Sequence, residues 1–224
     1  MQILVGCPVR DRAWILSDWF DHVRVAVDKV GSLDLAFAFI GDPRTDVETF
    51  EVIGAQPEPG HVVPFAEEGM PTPHAWGIDR YHHMVELRNH LLSRVRVLEP
   101  DYYWSLDSDI LAHPDVLVST LDALDSHPQY AAMGQRCYMA TNDWCTSCAQ
   151  LTPLGGLVRE RVEGVIGVDV IMAAKVMTPA AYRIDYVVHP QGEDIGWSIA
   201  AREAGLRLGW DGRVTSRHVM RRDP

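Results

Sequence analysis

Tyr102-Tyr103-Trp104-Ser105-Leu106-Asp107-Ser108-Asp109-Ile110-Leu111 passes from an aromatic, apolar run straight into two carboxylates one residue apart. An unbroken run of aromatic and aliphatic residues predicts a strand buried on both faces. Both aspartates then fall at its carboxyl end, the edge of an open α/β sheet where ligands bind. Asp-x-Asp sets oxygen donors close together, and hard divalent cations such as Mg²⁺ or Mn²⁺ prefer oxygen. A cation held there would in turn hold a diphosphate. The competing reading is structural: aspartates just after a strand also cap a following helix.

Outward from this stretch, strands and helices alternate. Before it, Met84, Leu87, Leu91, Val95 and Leu98 share one face of a helix expected over about Asp79–Leu98. Residues 66–78 hold Gly69, Pro71 and Pro73 and read as a loop. Towards the N-terminus, Ile3–Val5 reads as a strand. Leu16, Trp19, Phe20, Val23, Val27 and Val30 predict a helix over about Trp14–Val30, ended by Gly31. Leu33–Ile40 is a second strand, Thr45–Glu48 has the pattern of a capping box for a helix reaching Ile53, and His61–Pro64 is a short third strand. After the aspartates, Pro114 suits the first position of a helix, and Tyr130–Met133 is another strand. From Gln135 to about Glu163 periodicity fades, which predicts an irregular insertion. Val165–Val176 returns to a strand pattern, Pro179–Tyr182 is a turn or short helix, Glu193-Asp194 opens a helix ending near Gly205, and Leu206–Trp210 is a last strand before a tail with His218. The alternation predicts an α/β fold with a mostly parallel central sheet covered on both faces, in one domain spanning 1–224.

Composition narrows the function. The net charge of −11 disfavours bulk binding of nucleic acid, which a basic face serves. No apolar run reaches membrane-spanning length, and the apolar start Met1–Gly6 is too short for a signal peptide, so a cytoplasmic protein is expected. In that setting Cys7, Cys137, Cys145 and Cys148 are expected as free thiols; Cys145 and Cys148 form a CxxC with Cys137 upstream, but no fourth zinc ligand stands at usual spacing.

With this order in view, the chain resembles GT-A glycosyltransferases, in the company of family 2 and of the Anp1/Mnn9-type enzymes. The resemblance rests on Gly6-Cys7-Pro8-Val9-Arg10 at the exit of the first strand, Asp42 after the second, Leu87-Arg88-Asn89-His90-Leu91-Leu92, Trp104–Asp109, Gly192-Glu193-Asp194 and His218. It spans most of the chain, and the stretch 135–163 matches no part of it. It implies a GT-A fold, with residues 1–111 binding a nucleotide-diphosphate sugar (UDP- or GDP-linked) and 112–224 serving the acceptor and carrying a C-terminal metal ligand. It further implies a metal-dependent enzyme that moves a sugar to an acceptor hydroxyl on a glycan, protein, small molecule or modified base. Two alternatives share the scaffold: a non-catalytic carbohydrate- or nucleotide-binding module, and a sugar nucleotidyltransferase. The second ordinarily has a glycine-rich phosphate loop, which Pro8-Val9-Arg10-Asp11-Arg12 lacks.

The residues then take roles. Asp109 is the expected direct ligand of Mn²⁺ or Mg²⁺, with His218 completing the shell and Asp107 touching the metal, its water or the ribose. Pro8 and Ser108 line the donor site. Arg10 and Arg88 fork onto phosphate or sugar, against a solvated-helix reading for Arg88. Asp42 contacts the base or ribose, or only shapes the turn Gly41-Asp42-Pro43. Glu193 and Asp194 face the acceptor. Family 2 places its base at the second acid of this motif, which makes Asp194 the implied base; helix capping is the plainer reading. Trp76, Tyr81, His82 and His83 follow the Gly/Pro-rich loop and offer stacking surfaces, although adjacent histidines on a helix do not face one metal. Trp144 is either a sugar platform or a core anchor.

Overall fold

A computed structural model of the chain describes residues 1–65, 77–139, 147–154, 156–158 and 163–219. Its first half is β1 (Gln2–Pro8), α1 (Ala13–Asp28), β2 (Asp34–Gly41), α2 (Val47–Gly54), β3 (Gly60–Pro64), α3 (Ile78–Leu98) and β4 (Tyr102–Leu106). These strands lie in the order β3-β2-β1-β4, all parallel, with Gly6 opposite Ser105 and Pro8 opposite Ile40. The order reverses between β1 and β4, which opens a crevice at the carboxyl edge of the sheet. Arg10, Asp42 and Asp107 leave the sheet at that edge.

The second half is β5 (Ile110–Leu111), α4 (Val116–Ser126), β6 (Tyr130–Met139), β7 (Cys148–Leu151), β8 (Leu157–Val158), β9 (Val165–Val168), β10 (Val170–Ile171), β11 (Ala174–Met177), α5 (Pro179–Tyr182), α6 (Glu193–Glu203) and β12 (Arg207–His218). β11 runs antiparallel between β4 and β6, so its start, not its end, meets the crevice. β12 lies parallel to β6 and antiparallel to β5 and β9. A small antiparallel sheet, β10-β7-β8, stands apart.

Each face has its own core. Phe20 of α1 packs edge-on against Phe37 and Phe39 of β2, and Trp19 edge-on against Phe39, with Phe20 and Phe37 centroids 4.8 Å apart. Leu87 and Leu91 of α3, Tyr182 of α5 and Trp197 of α6 cover the other face. Each fully buried apolar side chain of this kind contributes about 1.5–3 kcal/mol. No described helix is long and apolar enough to cross a membrane.

Several local expectations differ from what is built. The stretch after Gln135 is not all irregular: β6 continues to Met139, and Cys148–Leu151 and Leu157–Val158 form strands. The last two are short and sit in the small sheet, so no long apolar alternation announces them. Val165–Val176 breaks into three strands rather than one. The last strand runs past Trp210 to His218, through an irregularity in its pairing between Asp211 and Thr215; this places His218 in a paired strand, not a free tail. The capping box does not form: Asp46 precedes α2 without a side-chain cap, and the Thr45 hydroxyl donates to the Asp42 carbonyl instead.

Gly6 is a tight point in the pairing of β1 with β2. A Cβ there would stand 1.9 Å from the carbonyl oxygen of Ala38. Gly6→Ala must therefore spread the central strands, an overpacking expected to cost about 3 kcal/mol. Thermal unfolding should show Tm lowered by about 6–12 °C.

Candidate active site

The turn after β4 is pinned from below. The Trp19 indole donates to the Asp107 carbonyl at 3.1 Å, and the Ile110 amide donates to the same oxygen. No helix starts here, since α4 begins only at Val116, so neither aspartate is a helix cap. The two side chains, one residue apart, diverge.

Asp109 faces the last strand and the first loop. His218 Nε2 lies 3.1 Å from its Oδ1, and Arg12 Nη2 donates to its Oδ2 at 3.1 Å. The pairing of His218 with Ile110, and the bond from the Val219 amide to the Asp109 carbonyl, hold the imidazole in place. Burial works to raise the Asp109 pKa, but His218 and Arg12 outweigh it and the carboxyl sits below its ordinary range. For His218 burial acts to lower the pKa, and Asp109 reverses this and raises it.

Asp107 faces α3. Arg88 lies on the buried face of that helix, beside Leu87 and Leu91, and is only 4% exposed. It donates through Nη2 to Asp107 Oδ1 at 3.0 Å and through Nε to Glu193 Oε1 at 3.2 Å. One guanidinium thus ties the turn after β4 to the start of α6, and the solvated-helix reading of Arg88 falls. Asp107 and Glu193 both sit above their ordinary pKa ranges, because burial disfavours their charge more than Arg88 restores it.

Asp194 is held differently. Lys175, fully buried on β11, pairs with its Oδ1, and the Ala173 amide donates to Oδ2 at 2.9 Å. Burial pushes this carboxyl up, yet Lys175 and Arg88 bring it down to about 2. Helix α6 opens at Gly192, whose φ of +132° suits glycine. Asp194 spends its oxygens on the strand beneath and does not cap the helix. Lys175→Met would leave Asp194 charged and without its cation, a loss of about 3–5 kcal/mol in urea unfolding. A carboxylate with a depressed pKa stabilises the fold at pH values above the unfolded aspartate's ~3.9. That contribution fades as pH falls through about 2. The acid dependence of the urea midpoint should therefore flatten in the variant.

The other expected residues lie along the same edge. Pro8 ends β1, Ser108 is buried between the two acids, and Arg10 is partly exposed beside Asp11. Asp42 is buried at the end of β2, with Arg44 donating to both its oxygens at 2.8–3.0 Å. Tyr81 comes within 4.0 Å of where a Gly192 side chain would start, and His83 packs on Phe65. Trp76, Trp144 and Cys145 lie outside the described residues. Cys7 and Cys137 are buried free thiols, and Cys148 is buried at the start of β7.

Two charged groups at the site belong to none of the sequence motifs. Arg12 lies just past the motif at the exit of the first strand. Lys175 is a single cation inside an apolar strand run, a signal that a buried counter-ion must exist.

For a divalent cation, Asp109 and His218 supply an oxygen and a nitrogen 3.1 Å apart. Among the described residues no three His, Cys, Asp or Glu side chains converge on one point. Two protein ligands fit a cation whose remaining positions are filled by substrate phosphates and water, as Mg²⁺ sites commonly are.

No family model matches the chain, and no curated protein is similar to it in sequence. Solved structures are similar in fold. S. aureus TarS (residues 1–349) in complex with UDP-GlcNAc superposes with a TM-score of 0.63 at 13% identity, covering 100% of this chain and 60% of that one. The mannosyltransferase PcManGT from Pyrobaculum calidifontis, in complex with GDP-Man and Mn²⁺, gives 0.57 at 12% identity, covering 99% and 57%. The chain thus spans about 60% of the length of these neighbours. The chain has the α/β GT-A fold that they share.

Proposed function

We propose that the chain transfers a sugar from a UDP- or GDP-linked donor to an acceptor hydroxyl, with a divalent cation. The observation that carries this reading is Arg88, which joins an Asp-x-Asp turn at the sheet's crevice to a second acidic pair. Donor and acceptor chemistry need such neighbours. The solved neighbours bound to UDP-GlcNAc, or to GDP-Man with Mn²⁺, support the donor class. The narrower likeness to Anp1/Mnn9-type enzymes rests on the sequence motifs. In this reading residues 1–111 hold the donor, and 112–224 serve the acceptor.

Asp109 and His218 hold the cation, which when bound neutralises charge growing on the diphosphate. Arg88 keeps Asp107 and Glu193 in place. Glu193 takes the proton as the acceptor oxygen bonds to the anomeric carbon and the carbon–oxygen bond to the diphosphate breaks. This differs from the family-based expectation of Asp194. A carboxyl lowered to about 2 is a weak base, whereas the raised Glu193 is nearer the useful range. Asp194 instead anchors the start of α6 to β11.

A thermal-shift series tests the reading, with UDP-, GDP- and CDP-linked ligands, each with Mn²⁺ and with chelator. Ligand binding to the native state raises Tm by mass action. A shift for a UDP or GDP ligand that chelator abolishes supports it. No shift for any ligand, on folded protein, removes it.

A further inference from the structure

Arg12 stands where the cation would act. It follows β1, caps the start of α1 with its backbone, and directs its guanidinium to Asp109 Oδ2 at 3.1 Å. The remaining donors are poorly used. Nη1 reaches the Arg10 carbonyl only at 3.4 Å, and Nε is buried with no hydrogen-bond partner among the described residues. A guanidinium carries five N–H donors in a planar fork suited to phosphate. A buried N–H without an acceptor is costly, so a site that leaves one open is incomplete.

A divalent cation and this guanidinium compete for the same carboxylate. Both are positive, so a cation on Asp109 repels Arg12 from its partner. A diphosphate beside the cation offers Arg12 a new partner of opposite charge. On the donor-site reading above, we propose that Arg12 is a positioning residue that exchanges Asp109 for the donor diphosphate as the cation binds. The exchange couples the two ligands: metal alone must displace Arg12, and metal with nucleotide gives Arg12 somewhere to go. Coupling of this kind is reciprocal.

The test is direct binding on the full chain. Mn²⁺ affinity is read by electron paramagnetic resonance, alone and with saturating UDP or GDP, and nucleotide affinity by calorimetry with and without Mn²⁺. Relative to wild type, Arg12→Ala should bind Mn²⁺ alone more tightly. It should bind nucleotide in the presence of Mn²⁺ about tenfold or more weakly, the loss of one charge-assisted contact. Arg12→Lys should recover part of the nucleotide affinity, since a point charge replaces the fork. Arg12→Gln, of similar length, repeats the measurement should the alanine variant unfold. A wild type that binds both ligands, with variants matching it within about twofold on both, overturns the role of Arg12 and leaves the donor site standing. A wild type that binds neither ligand overturns the donor-site reading, and this proposal with it.

Discussion

Replacing Glu193 by Gln is expected to lower kcat by about a thousandfold while leaving the donor Kd nearly unchanged, since positioned general bases contribute about 10²–10⁴. Gln keeps the size of the side chain, and its carbonyl still accepts from Arg88 Nε, 3.2 Å away in the wild type. The fold should therefore persist, with Arg88 still paired to Asp107. What is lost is the proton acceptor. Wild-type kcat should rise with pH through a value above the ordinary carboxylate range, because burial raises Glu193 and the base must be ionised. That limb should vanish in the variant. Asp194→Asn supplies the contrast. It strips the buried Lys175 of its counter-ion, so lost activity there should accompany a stability loss of about 3–5 kcal/mol. A clearly larger loss of kcat in Asp194→Asn than in Glu193→Gln, with stability kept, would return the base to Asp194.

Asp109→Ala is expected to abolish the metal-dependent thermal shift and to cut transfer by about a thousandfold or more, the scale on which preorganised charge at a leaving group acts. The variant removes the common partner of His218 and Arg12 in a single step. The backbone bond from the Val219 amide to residue 109 survives the change, so the last strand keeps its register. Donor binding and activity should fall together, and Tm in the absence of ligand should fall as well, because Arg12 and His218 lose their shared carboxylate. Asp107→Asn acts elsewhere: it loosens Arg88, so its effect should reach Glu193 and show in the pH profile. An Asp109→Ala protein that still gives a chelator-sensitive shift would move the cation to other ligands.

The order of strands and helices was legible because burial writes periodicity into sequence. Trp19, Phe20 and Val23 recur at helical spacing, and Tyr102–Leu106 is apolar on both faces because both faces are covered. That Asp107 and Asp109 stand at the carboxyl edge of the sheet was legible because the buried run before them stops at the first carboxylate. The strands Cys148–Leu151 and Leu157–Val158 were not, since they are only four and two residues long and their own pattern is too short to register.

By itself, then, the sequence determined the α/β alternation and the edge at which the acids gather. Only the tertiary structure decided how those acids divide. Asp107 and Asp109 are one residue apart, yet one turns to Arg88 on α3 and the other to Arg12 and His218, from opposite ends of the chain. Glu193 and Asp194 are adjacent, yet one is raised and the other lowered, because Lys175 lies under only one of them. A carboxylate's chemistry is set by the charges and burial around it, and those neighbours are brought by strand order rather than by adjacency along the chain.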